Sequence, residues 1–178
     1  MENGKDGNMS LKVIGSILII TACGGFGFKI AATHVKEVKT LRQLIAILDY
    51  MECELQYRLT PLPALCRQAA GEGNGVLQKT FLQLAIELED QVSPDVERCM
   101  TAALNQVNDI PRLTFHGLDM LGKTLGRFDL NGQLKGLEAV RQECRRNLEH
   151  LSKNQDVRLR SYQTLGLCAG AAMAILLI

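Results

Sequence analysis

Residues 38–63 read VKTLRQLIAILDYMECELQYRLTPLP. Apolar side chains recur at Val38, Leu41, Leu44, Ile45, Leu48, Met51 and Leu55, three or four positions apart. That spacing returns to one face of a helix, whereas a half-buried strand would alternate. Polar residues fill the other face, so the stretch predicts an amphipathic helix from His34 to Leu59 with one stripe toward a core. Thr60-Pro61-Leu62-Pro63 ends it, because proline has no N–H for the ladder and its ring clashes with the preceding turn.

The pattern repeats along the chain. A short helix is expected over Ala64–Ala70, ending at Gly71, and GEGNG at 71–75 reads as a turn. Val76–Asp90 places Leu77, Phe81, Leu84, Ala85 and Leu88 on one side. Ser93-Pro94 reads as a cap followed by proline at the first helical position, opening a helix to about Val107. Asn108-Asp109-Ile110-Pro111 breaks that helix. Another runs from about Arg112 to Leu125 and stops at Gly126. Asp129 caps a last helix, which continues into the C-terminal apolar run. No interval has βαβ spacing. The expected fold is all-α, a bundle of about six helices.

Composition agrees: hydrophobic content is 47%, aromatic content only 4%, and tryptophan is absent. The net charge of +1 gives no overall basic signal for nucleic acid. Charge is segregated, however. Residues 33–163 hold 34 of the 39 Asp, Glu, Lys and Arg residues, and the last 15 residues hold none. The organisation expected is a polar leader (1–12), a membrane helix (13–32), a cytoplasmic helical domain (33–163) and a second membrane helix (164–178).

The first apolar run, Val13–Ala32, would span roughly 30 Å as a helix, about the hydrocarbon core of a bilayer. Lys29, near its end, can snorkel. Gly15 and Gly24, with Gly25 and Gly27, would let a partner helix approach closely. The second run, Leu165–Ile178, is shorter, roughly 21 Å, and needs Tyr162, Gln163 and Thr164 at the interface or a thinned bilayer. Gly166 and Gly170 form a small-xxx-small pair there. Lys36, Lys39 and Arg42 follow the first run; Arg145, Arg146, Lys153, Arg158 and Arg160 precede the second. The positive-inside rule then places the middle in the cytoplasm and both termini across the membrane. On that reading the chain stops where its last helix reaches the far interface. Ile20-Thr21-Ala22-Cys23 offers an alternative, a lipoprotein box with lipid on Cys23 and an extracytoplasmic helical binding module. The residues after Cys23 stay apolar where a lipoprotein would turn polar.

Catalytic chemistry finds little support. Gly117–Thr124 fits the phosphate-loop pattern GxxxxGK[ST]. A phosphate loop needs a buried strand before it and a glycine-rich turn whose N–H groups face phosphate. Here the interior is Leu118-Asp119-Met120-Leu121, a helical pattern. Glu52/Glu54 and Glu87/Glu89 are two apart and diverge on a helix, so they make no acid–base dyad. The six cysteines form no CxxC pair, and His34, His116 and His150 make no ligand cluster with them. The run from Arg141 to Arg146 reads as a solvated face, with attraction to anionic lipid as its second reading. No enzyme, cofactor, metal or small-molecule substrate is expected.

The opening LKVIGSILIITACGGFGF, the helix and proline turn LRQLIAILDYMECELQYRLTPLPALCRQAA, the segment LGKTLGRFDLNGQ and the closing SYQTLGLCAGAAMAILLI together resemble the stage III sporulation protein AB family of endospore-forming bacteria. The resemblance covers nearly the whole chain from about Met9. Its most specific piece is Leu121-Gly122-x-x-Leu125-Gly126-x-x-Asp129-x-x-x-Gln133, which also accounts for the phosphate-loop match. Phe128 departs from it, standing where a small residue is expected. The resemblance implies a non-enzymatic membrane protein whose helical domain is similar to those of platform protein F in type II secretion and type IV pilus systems. It implies a place in the mother-cell membrane around the forespore, in the channel or feeding-tube apparatus. The implied partners are the secretion-type ATPase protein AA of the same operon, further membrane components of the channel, and membrane lipid. Within the motif, Gly122 and Gly126 would permit close helix approach and a helix stop. Asp129 and Gln133 are the candidate partner-docking residues, and Pro61 and Pro63 the turn residues.

Overall fold

The computed structural model describes residues 33–90, 95–126 and 129–177, with side chains described as far as Lys153. Among these residues there are six helices and no strand. They are α1 (33–57), α2 (Leu62–Glu72), α3 (Val76–Glu89), α4 (Val96–Gln106), α5 (Arg112–Thr124) and α6 (Leu130–Leu177). Chain contacts divide the protein into two units, Lys36–Ser152 and the two terminal segments. The first is a helical bundle. The first apolar run, with Gly15, Gly24 and Cys23, lies outside the described residues. Gly166 and Gly170 fall in α6, beyond the side chains described. Among the described residues no helix is long and apolar enough to cross a membrane.

The core of the bundle is built from the stripes expected. Leu41, Leu44, Leu48, Met51 and Leu55 of α1 are buried, as are Leu77, Phe81, Leu84 and Ala85 of α3. Ile47 joins them, although it lies outside the α1 stripe, because the α2–α3 turn leans on it. A Cβ on Gly73 would stand 3.1 Å from Ile47 Cδ1. Helices α2, α3, α4 and α5 pack in chain order, each against the next. Helix α6 contributes Leu137, Val140 and Cys144 to the same core.

Three boundaries differ from expectation. Helix α1 ends at 57, before the prolines: Thr60, preceding Pro61, is biased away from the helical region, and Leu59 takes a left-handed φ of 51°. Helix α2 starts at Leu62 and runs through Gly71 to Glu72. Pro61 is its N-cap and Pro63 lies in its first turn, where no N–H is required. Helix α4 begins at Val96, and its cap is Asp95, whose carboxylate accepts from the Glu97 N–H at 3.1 Å. Ser93 and Pro94 lie outside the described residues.

Candidate docking face at one end of the bundle

Direction within the bundle follows from side-chain contacts. Arg141 of α6 bridges Asp49 and Glu52 of α1, at 2.6 Å each. Gly117 of α5 sits where Cys144 and Leu44 converge; a Cβ there would be 2.9 Å from Cys144 Sγ and 3.0 Å from Leu44 Cδ2. Further along, Gly136 of α6 lies against Thr124 of α5. Thus α6 runs antiparallel to both α1 and α5. The chain enters the bundle at Lys36 and leaves it at Ser152 on the same end. The opposite end gathers the end of α1, the starts of α2 and α4, the end of α5 and the start of α6.

The motif residues meet at that opposite end. A Cβ on Gly122 would lie 2.6 Å from Met100 Cβ and 3.7 Å from Glu97 Cα, so α4 and α5 touch nearly backbone to backbone here. Gly126 has φ of 74°, and a Cβ on it would stand 2.5 Å from Val96 Cγ2 and 3.7 Å from Leu62 Cδ2. It both turns the chain out of α5 and packs between α4 and the Pro61-Leu62-Pro63 start of α2. Asp129 caps α6: its Oδ1 accepts from the Gly132 N–H at 3.0 Å, and its carbonyl accepts from Gln133 N–H at 2.9 Å. Asp129 is exposed and Gln133 half-buried.

Sequence reasoning missed the apolar side chains presented at the same end. Tyr57 is 79% exposed, Leu59 65% and Leu130 37%. The signal for one of them was present, since Tyr57 falls off the α1 stripe; Leu59, four residues past Leu55, keeps the stripe's spacing and is exposed because the helix has already ended at 57.

Other candidates disperse. The Gly117–Thr124 segment is continuous α5 helix, not a loop after a strand. The Lys123 ammonium is bound to Asp119 at 2.7 Å, and that hydrogen bond, with the Asp119 charge, raises its pKa. No phosphate cradle exists there. Arg141, expected on a solvated face, is only 18% exposed and held by Asp49, Glu52 and Glu138. Burial pushes the Cys66 thiol up to about 12 and the Cys144 thiol to about 11, which keeps both protonated and unreactive at neutral pH. Among the described residues no group of three His, Cys, Asp or Glu is arranged to hold a metal ion.

The family model described as stage III sporulation protein AB matches residues 12–178. The chain belongs to the stage III sporulation protein AB family. It is 25% identical over 171 residues to stage III sporulation protein AB of Bacillus subtilis (strain 168), which covers 94% of this chain and 99% of that protein. A solved structure of a stage III sporulation protein AB matches the fold with a TM-score of 0.59 at 21% identity, covering 68% of this chain and 98% of that one. The family is one of sporulation proteins, and the glycine-lined helix junction at 121–133 lies within the region it matches.

Proposed function

We propose that this chain is a non-enzymatic platform component of the mother cell–forespore channel. Membrane helices at 13–32 and 164–178 anchor it in the mother-cell membrane, and its helical domain lies in the cytoplasm. The domain receives the secretion-type ATPase of the same operon and passes its displacement to the other membrane components. One observation carries this reading. Asp129 and Gln133 share an end of the bundle with exposed Tyr57, Leu59 and Leu130, opposite the end where the chain enters at Lys36 and leaves at Ser152. Aromatic and apolar anchors beside a polar pair are the composition of a protein-docking patch.

The test is ATPase co-purification with an Asp129→Asn, Gln133→Ala, Tyr57→Ala triple variant. Asparagine keeps the cap on α6 and removes the charge. Association should fall at least tenfold with cooperative melting unchanged; undiminished association would remove the docking face. Reporter fusions after Ile178 and at Asn74 test topology independently. An exported reporter at Asn74 would reverse the orientation and bring the Cys23 lipoprotein reading forward.

A further inference from the structure

We infer that the end of the bundle opposite the docking face rests on an anionic phospholipid surface through Lys36, Lys39, Arg42 and Arg112. This deepens the membrane reading above and rests on it. Two bonds join separate elements there. Lys36 Nζ donates to the Asp109 carbonyl at 3.2 Å, and the Leu113 N–H donates to Glu37 Oε1 at 2.8 Å. They fasten the α4–α5 turn beside the first turns of α1. The antiparallel run of α5 and α6 brings Arg112 to the level of the last turns of α6 in this unit. The turn therefore lies where the chain both enters and leaves the bundle.

The charges at this end are unequal. Lys36, Lys39, Arg42 and Arg112 are all exposed. Lys39, Arg42 and Arg112 make no ion pair among the described residues. Of the acids nearby, Glu143 is paired with Arg146, while Glu37 accepts from the Leu113 N–H and keeps its charge. Asp109 and Glu149 remain exposed. The balance is positive, and Arg112 reaches it only through the fold, being far in sequence from either apolar run. Ala32, the last residue of the first run, is four residues from Lys36, at most about 14 Å of chain. That is at most one to two Debye lengths of about 8–10 Å, a distance over which an anionic leaflet's attraction for lysine and arginine is weakened but not lost. Proximity to the apolar run selects a bilayer surface over a soluble anion.

The full chain reconstituted in phosphatidylcholine nanodiscs, with and without abundant phosphatidylglycerol, tests this by hydrogen–deuterium exchange. Co-elution with discs is read first. Amides of 107–110 should then exchange several-fold more slowly in the phosphatidylglycerol discs. The difference should vanish at high salt and in a Lys39→Glu, Arg112→Glu variant whose melting is unchanged. Amides at 57–60, on the opposite end, should not respond. Co-elution with exchange independent of lipid charge overturns the inference and leaves the membrane reading standing. Failure to co-elute removes both. Equal protection by inorganic phosphate with phosphatidylcholine discs also overturns it, by assigning the site to a soluble anion.

Discussion

Replacing Gly122 by alanine sets two opposing effects against each other. Alanine in a helix interior is favoured over glycine by about 1 kcal/mol. The new Cβ, however, would lie 2.6 Å from Met100 Cβ and 2.8 Å from its Cγ. Carbon atoms pack at about 3.5–4.0 Å, and Met100 Cβ is fixed to the α4 backbone, so no rotamer relieves the overlap. Helices α4 and α5 must part by about 1 Å. The gap opens in the core, because Met100 is 1% exposed and Leu118 and Leu121 are fully buried. Overpacking of this kind costs about 1–3 kcal/mol, which offsets the helix gain and leaves a net loss of up to about 2 kcal/mol. Gly71→Ala is the control: it lies in α2, and a Cβ there meets nothing within 4 Å. Only the helix preference acts, and stability should rise by up to about 1 kcal/mol. For a chain of this size, 1 kcal/mol moves Tm by about 2–4 °C. Circular dichroism melting of the full chain in one detergent should show Gly122→Ala falling and Gly71→Ala rising. A Gly122→Ala protein melting at or above the parent would refute the close contact between α4 and α5.

Leu59→Asn should stabilise the bundle by about 0.5–1 kcal/mol, since asparagine tolerates the left-handed backbone that leucine does not, yet weaken ATPase association; melting and co-purification read the two effects separately. Glu37→Ala should cost about 1 kcal/mol and accelerate exchange of the Leu113 amide, because α5 starts on Pro111 and takes a capping acceptor from α1. Arg141→Leu should cost about 1–3 kcal/mol by leaving Asp49 and Glu52 without their shared cation, the partial exposure of all three moderating the loss; a urea titration measures it. Raising pH above 9 should destabilise the protein. The unfolded chain loses thiol protons near 9.0, while folded Cys66 and Cys144 keep theirs to about 12 and about 11. The native state therefore holds more protons, and each thiol removes about 1.4 kcal/mol per pH unit over that interval. A Cys66→Ala, Cys144→Ala variant should melt with a flatter dependence on pH.

The stripe on α1 was legible because seven apolar residues repeat at one period, and the core uses most of them. Ile47 was not, because its burial depends on the α2–α3 turn folding over a second side of α1. The spacing Gly122, Gly126, Asp129, Gln133 announced small residues and a cap. It could not name Met100 and Val96 as the atoms a Cβ would strike, for those lie on another helix. Glu37 and Leu113 are 76 residues apart, and no local signal joins them. Arg141 looked solvated beside Arg145 and Arg146, since two of its three anionic partners, Asp49 and Glu52, are about ninety residues upstream. Periodicity reports the side of a helix that faces inward. What it meets there is fixed by how the helices cross.

That crossing pattern bears on force transmission. A coupler must carry displacement from one end to the other without absorbing it, and a close-packed interior with low compressibility does so. Here the close packing runs from the middle of the bundle to the motif end, where a Cβ on Gly122 or Gly126 would stand only 2.6 Å or 2.5 Å from α4. Gly117 admits Cys144 and Leu44 to contact distance, and Arg141 ties α6 to two successive turns of α1. Each end is also chemically exposed: Tyr57, Leu59 and Leu130 at one, Lys39, Arg42 and Arg112 at the other. Apolar anchors bind a folded protein partner through fitted burial, while unpaired cations bind a charged surface without demanding a fixed register. In the proposed coupler, a bundle gripped specifically at one end and resting on headgroups at the other would tilt against the membrane as its partner moved.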